Sequence, residues 1–421
     1  MLENVDLAPR PTAARGKRGL LPIASLTLGA CLALATVAAA CGDDTGTGGS
    51  AAGGNPAAGG AGAGTSNGGN VSDGGGGNVS EGGGGGVSDG GNGGSGGAPT
   101  GGAGCGPLPA LPEDVTPDEF PQLLSETGLY SDFANETLAD YILEYTPRYP
   151  LWTDGATKER WAYIPPNECD GPIDNSDIDT WQVPVGSRFW KEFTRDGVRI
   201  ETRFIIRTGP DASDFKFATY RWDGSGDAVK IDNGLDDANG TGHDIPPVTL
   251  CSGCHKSDWR VLGFSAIQLT GNPGTVNMAS LSADGVLSNP LPGGVSIPGN
   301  DVEREALGCM HVNCGSCHYD GGVAQTAMHL RVKAAMTTVA TTDTFLTAVN
   351  RQTNNYNCNS TGGLCDFIEP MSPATSATWE RMDVEGDGVS QMPPYGTELE
   401  NTDCRSKVGL WINQLPLNAN P

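Results

Sequence analysis

Two short runs of the 421-residue chain carry residues whose types and spacing could do chemistry: Cys251-Ser252-Gly253-Cys254-His255 and Cys314-Gly315-Ser316-Cys317-His318. In a C-x-x-C-H pentapeptide the two thiols are spaced to add to the two vinyl groups of haem. The adjacent imidazole is then held beneath the iron as its proximal ligand. Other chemistries also use paired cysteines. Tetrahedral zinc wants further ligand pairs and has no use for a His fixed at this position. A thioredoxin-like redox couple sits at a strand-to-helix turn, which neither run shows. A disulfide hairpin would leave the His unexplained. The expectation is therefore two covalently attached groups of haem c, one on Cys251 and Cys254 with His255 on the metal, the other on Cys314 and Cys317 with His318.

The remaining cysteines and the N-terminus bear on compartment. A basic cluster (Arg15, Lys17, Arg18) precedes an apolar run from Leu20 to Ala40, and Ala38-Ala39-Ala40 stands immediately before Cys41. This is the layout of a secretory signal. Cys41 then opens a Gly-rich segment, as the lipid-modified first residue of a bacterial lipoprotein does, although Ala38 stands where Leu is usual. The chain is expected to be exported and lipid-anchored, at the periplasmic side or cell surface of a Gram-negative bacterium. Cys31 falls within the signal. Six cysteines are left over (Cys105, Cys169, Cys309, Cys358, Cys365 and Cys404), an even remainder that suggests disulfides in an oxidising compartment without fixing their connectivity. Cys358 and Cys365 would close a small loop.

The net charge is −25, and near −27 once the first forty residues are set aside. Such acidity argues against nucleic acid and against a basic patch on anionic lipid, and it suits a basic redox partner protein. The acidic run Asp383-Val384-Glu385-Gly386-Asp387-Gly388 lacks the rest of a calcium loop and reads as a solvated turn.

The elements that must position the two pentapeptides follow from composition and periodicity. Residues 1–40 are the signal peptide, and 41–104 a disordered Gly-rich linker behind the lipidated Cys. In that linker Val71-Ser72-Asp73, Val79-Ser80-Glu81 and Val87-Ser88-Asp89 recur without an apolar face, and a coil of this length reaches roughly 40–50 Å. Residues 105–235 are β-rich. Arg188–Phe193 and Val198–Arg207 flank Thr194-Arg195-Asp196-Gly197, a hairpin signal, and Phe215–Trp222 offers a further strand. A helix is expected to start at Thr116-Pro117, burying Leu123 and Leu124. Trp152, Trp161, Trp181, Trp190 and Trp222 are read as core or rim of the sheet. Residues 236–300 form the first haem-binding segment and 301–421 the domain around the second haem. In the latter, Val302–Asn313 is read as a helix running into the pentapeptide and Asp403–Leu415 as a terminal helix. Thr402 is the expected cap, and Val408, Leu410, Trp411 and Leu415 the apolar face. The fold class is thus α+β: a small antiparallel β-rich region, then a mainly α haem domain.

Tyr149-Pro150-Leu151-Trp152-Thr153-Asp154-Gly155-Ala156, Val185-Gly186, Glu201-Thr202-Arg203, Ala218-Thr219-Tyr220, the two pentapeptides with Val312-Asn313 before the second, and Met392-Pro393 together resemble a family of dihaem c-type cytochromes from Gram-negative bacteria. The resemblance covers roughly residues 145–415. It implies a β-rich portion fused to a cytochrome c-like portion, with electron transfer as the activity. It also implies Met392, in a Pro-rich loop before the last helix, as the axial sulfur of the second haem. The helix before the haem motif would cross the terminal helix, so that Cys309 could be joined to Cys404, leaving Cys105 for Cys169. For the sixth position of the first haem, Met278, His311 and His243 are all candidates; His329 reads as a satisfied surface residue. Only 63 residues separate Cys251 from Cys314, short for a complete domain, so the first haem is expected to pack partly against the β-rich region or the second haem domain. An electron carrier is the leading reading. A dihaem peroxidase-like enzyme, or a cytochrome subunit serving a periplasmic dehydrogenase, is the alternative.

Overall fold

The Asp196-Gly197 pair turns the chain between its two longest strands. Both residues lie at positive φ, 53° and 78°, as a two-residue turn matched to strand twist requires. In the computed structural model this turn joins β5 (Arg188–Arg195) to β6 (Val198–Arg207), with Arg195 opposite Val198. The model describes residues 119–167, 171–211, 214–255, 260–324, 326–383, 391–394 and 397–421, all within one compact unit, Gly94–Pro421. The signal, Cys41, the Gly-rich linker, Cys105, Cys169, Thr116-Pro117 and residues 384–390 lie outside the described residues.

A two-stranded ribbon, β1 (Tyr130–Asp132) and β2 (Thr137–Leu138), precedes a six-stranded antiparallel sheet in the order β3-β4-β5-β6-β7-β8. Its other members are β3 (Leu143–Glu144), β4 (Thr157–Tyr163), β7 (Phe215–Arg221) and β8 (Val229–Ile231). Side chains alternate across such a sheet, and here both faces are covered. One face buries Trp161, Trp190, Phe204 and Tyr220 under Phe120 and Leu124. The other buries Ala162, Phe189 and Ile205 under Phe264, Leu269, Met278 and Leu281. Trp222 joins the first core and Trp181 the edge of the second, while Trp152 lies at the rim, its indole N–H donating to the Leu399 carbonyl.

The segment 236–300 closes no core of its own. It begins in the hairpin of β9 (Leu235–Ala238) and β10 (His243–Ile245) and then supplies the cover of the second sheet face. Its helices are two short pieces, α1 (Cys251–Cys254) and α2 (Met278–Ala283). So few apolar residues can be buried only against a surface that already exists.

The C-terminal portion centres on α3 (Asp301–Asn313) packed against α6 (Thr402–Ile412), with α4 (Asp343–Ala348) and α5 (Ala377–Glu380) beside them. Their core holds Leu307, Met310, Val408, Trp411 and Ile412. This portion is not mainly helical. It also carries an antiparallel hairpin, β11 (Gln352–Cys358) and β12 (Gly363–Asp366), and long stretches of irregular chain.

Three expectations of detail change. Leu124 is buried, but in a single 3-10 turn (Leu124–Thr127) ended by Gly128 at φ 88°, and Leu123 is exposed. The terminal helix is capped by Asn401, whose side chain accepts from the Cys404 N–H at 3.1 Å, rather than by Thr402. On that helix Leu410 points to solvent while Val408 and Trp411 are buried.

Disulfides join Cys309 to Cys404 and Cys358 to Cys365, each pair with Cα atoms 5.8 Å apart. The first bolts α3 to α6 across a sequence separation of 95, the second closes the β11–β12 hairpin across 7. Loop-closure entropy grows with the enclosed length, so Cys309→Ala/Cys404→Ala is expected to lower stability by about 4–5 kcal/mol and Cys358→Ala/Cys365→Ala by about 2 kcal/mol. Guanidinium unfolding of the two double variants checks the order; equal losses would show that enclosed length is not what matters here.

Candidate functional site

The first pentapeptide lies over the sheet. A 3-10 turn, Val248–Leu250, leads into α1, and His255 follows at its end with its N–H donating to the Cys251 carbonyl at 3.0 Å. The His255 ring lies 5.3 Å from that of Phe217 on β7. Its Nδ1 is 2.6 Å from the Arg260 carbonyl. A carbonyl can only accept, so Nδ1 carries the proton and the lone pair is on Nε2. Burial first, then Lys191, holds His255 down at about 3, so the ring is neutral at physiological pH. Cys251 is half-buried with its thiol pushed up by burial, and Cys254 is exposed.

The second pentapeptide continues α3. The N–H of Cys314 donates to the Met310 carbonyl at 2.9 Å, and that of His318 to the Cys314 carbonyl at 2.9 Å. The loop is fastened from outside by the Leu330 N–H on the His318 carbonyl (2.8 Å) and by Arg331 Nε on the Gly315 carbonyl (3.1 Å). The Arg331 guanidinium also covers the Tyr319 ring at 3.8 Å. His318 is buried, and its Nδ1 has no hydrogen-bond partner. Desolvation holds this imidazole neutral, down to about 4. The Cys314 thiol is pushed up to about 12 by burial and by Cys317 beside it.

A redox-active pair needs a stabilised thiolate, and burial shifts Cys251 and Cys314 the opposite way. None of the four pentapeptide cysteines is in a disulfide, whereas the other four described cysteines are bonded in pairs. Among the described residues no three His, Cys, Asp or Glu side chains converge on a point as a zinc site requires. Haem attachment makes no such demand, because the thiols bond to the ring edge and the His alone meets the metal. Cysteine pairs outside any disulfide, neutral imidazoles, an available Nε2 on His255 and an orphaned buried Nδ1 on His318 fit the group.

Met392 lies in the segment before α6, half-buried, its N–H donating to the Arg381 carbonyl at 2.9 Å. The Arg381 charge in turn helps to lower the pKa of His318, after burial. Gln391, buried, ties the segment down through Nε2 to the Thr397 carbonyl at 2.8 Å.

The three candidates for the sixth position of the first haem are each engaged elsewhere. His311 accepts the Val332 N–H on Nδ1 at 3.0 Å, which puts its proton on Nε2 and leaves no lone pair for iron. His243 Nε2 is 2.8 Å from buried Glu201, and Met278 is buried in the core under the sheet. His329 is half-buried rather than on the surface, its main chain bonded to Thr347.

Sequence reasoning did not identify the strap that joins the parts. Arg148 pairs with Glu305 on α3 at 2.6 Å, and the Trp152 N–H donates to Asn313 Oδ1 at 2.8 Å, one residue before Cys314. Asp154 Oδ1 accepts from the N–H groups of Glu398 and Leu399, both at 2.9 Å, anchoring the chain beyond Met392. Gly308 is required where α3 meets the Tyr149 ring, since a Cβ there would collide with it. The polar residues of Tyr149–Ala156 were the available signal; their partners lie more than 150 positions away. No helix of the described residues is long and apolar enough to cross a membrane. No protein-family model, no curated protein and no solved structure matches this chain.

Proposed function

We propose that this chain is a c-type cytochrome that binds two covalent haems and passes electrons outside the cytoplasm. The observation that carries the reading is the state of the two pentapeptides: two cysteine pairs outside any disulfide beside two neutral imidazoles, His318 buried and His255 half-buried, in a chain whose other described cysteines are oxidised in pairs. A neutral imidazole is what a proximal ligand must be. The packed pair α3 and α6, joined by Cys309–Cys404, supports a cytochrome c-like arrangement in which His318 and Met392 would hold the iron of the second haem. A thioether in that place raises the potential relative to a second imidazole. We place the first haem against the sheet, over Phe217. We further propose export, lipidation at Cys41 with the Gly-rich linker as tether, and basic redox proteins as partners of the acidic surface. The dihaem cytochrome family is the kinship we propose.

When bound, the haems supply the one-electron chemistry; the chain holds each ligand neutral and keeps water from the second site by burying His318. The test is expression of the full chain alongside a working c-type maturation system. A pyridine haemochrome of two haems per chain is expected, with no turnover of peroxide. A colourless purified protein would refute the proposal, and rapid peroxide turnover by a high-spin haem would move it to the enzymatic alternative.

A further inference from the structure

Strand register puts three cations side by side in the middle of a covered sheet face. Arg160 on β4 is directly opposite Lys191 on β5, and Lys191 is directly opposite Arg203 on β6. Like charges so placed destabilise a sheet, and Lys158, two residues along β4 on the same face, adds a fourth. Compensation of these charges is uneven. Arg203 makes a two-point pair with Glu201 (2.5 and 2.9 Å) and lies over the Phe193 ring at 4.4 Å. Lys158 donates to the Leu151 carbonyl at 2.6 Å and lies 5.7 Å from the same ring. Glu201 is also taken by His243. Arg160, 5% exposed, donates only to the Lys158 carbonyl, and its Nε is buried without a partner. Lys191 has no acidic partner among the described residues. Its ammonium is destabilised by desolvation and by Arg160, Lys158 and Arg203, with Glu201 the opposing charge. A row of this kind must either meet an anion or give up a proton, and an anion against it would stabilise the charged form.

The first pentapeptide lies over this same face. Phe217, which meets the His255 ring, is the cross-strand partner of Ile205 and shares its side of the sheet with Arg203. Lys191 and Arg203 both reach His255 electrostatically, and Arg203 also reaches Cys251 and Cys254. Haem brings two carboxylates on its own edge. We propose that the row Arg160–Lys191–Arg203 receives the propionates of the haem joined to Cys251 and Cys254, with Lys191 as their principal counter-ion. This rests on the dihaem reading above. It assigns the cationic row a ligand and explains why three adjacent strands each spend a central, covered position on a positive charge.

The test uses the full-length, matured protein with Lys191→Met, Lys191→Gln, Arg160→Gln and the charge-preserving Lys191→Arg. Removing an uncompensated cation relieves repulsion, so the Lys191 variants are expected to fold, and either of them serves. All are expected to retain two haems by pyridine haemochrome. In Lys191→Met and Arg160→Gln the resonance Raman propionate-bending band of one haem should shift and its midpoint potential fall, while Lys191→Arg keeps the wild-type values for both. Two haems with unmoved propionate bands in Lys191→Met and Arg160→Gln would overturn the proposal and leave the dihaem reading standing. A wild-type chain without haem would remove the dihaem reading and this proposal together.

Discussion

Cys314→Ala/Cys317→Ala is expected to halve the haem content of the exported protein and to loosen its C-terminal portion, whereas Cys251→Ala/Cys254→Ala should halve the haem and leave that portion ordered. The difference follows from what surrounds each pentapeptide. The second continues α3, whose residues Leu307, Met310 and Val312 belong to the core shared with Val408, Trp411 and Ile412 on α6. Its His318 is buried with an unpartnered Nδ1, a polar group that costs roughly 1–3 kcal/mol when left unsatisfied. The first rests on a sheet whose two cores contain neither Cys251 nor Cys254. Haemochrome absorbance measures the first effect, and hydrogen exchange of α3 and α6 the second. Retention of two haems in either double variant would contradict covalent attachment at that pair. Equal exchange in both would mean that the second haem is an appendage rather than part of the core.

The second large effect is acid destabilisation centred on His311. This residue is 1% exposed, and its Nδ1 must stay unprotonated to accept the Val332 N–H. Burial, and then Arg331, holds it down at about 3. In the unfolded chain an imidazole titrates near its ordinary value, so between pH ~6.5 and ~3 the unfolded state binds the extra proton. Stability that is complete above that ordinary value is therefore lost as pH falls through the window. The full depth of the loss is about 5 kcal/mol by linkage. In His311→Gln the amide oxygen can still accept from Val332 and no longer titrates. Urea unfolding of the holoprotein across this range should show a steep acid limb in the wild type and a shallower one in the variant. Parallel limbs would place the acid sensitivity elsewhere.

Much that matters for chemistry was local and therefore legible in the chain alone. The two pentapeptides are complete within five residues each, and the Asp196-Gly197 turn encodes its own hairpin because both residues tolerate positive φ. Helix α3 ran as expected because Asn300 and Glu303 cap it reciprocally and an apolar face follows. The acidic charge balance and the parity of the cysteines are likewise properties of the chain alone. The structure decided what depends on pairs distant in sequence. The role of Asp154 appears only when Glu398 and Leu399 arrive beside it. His311 looked like a possible iron ligand until the Val332 N–H was found on its Nδ1. Arg160, Lys191 and Arg203 share one row only because β4, β5 and β6 pair in that register. Covalent spacing is written along the chain, but charge compensation and hydrogen-bond capacity belong to neighbours in space, and those are set only once the sheet and the helices have packed.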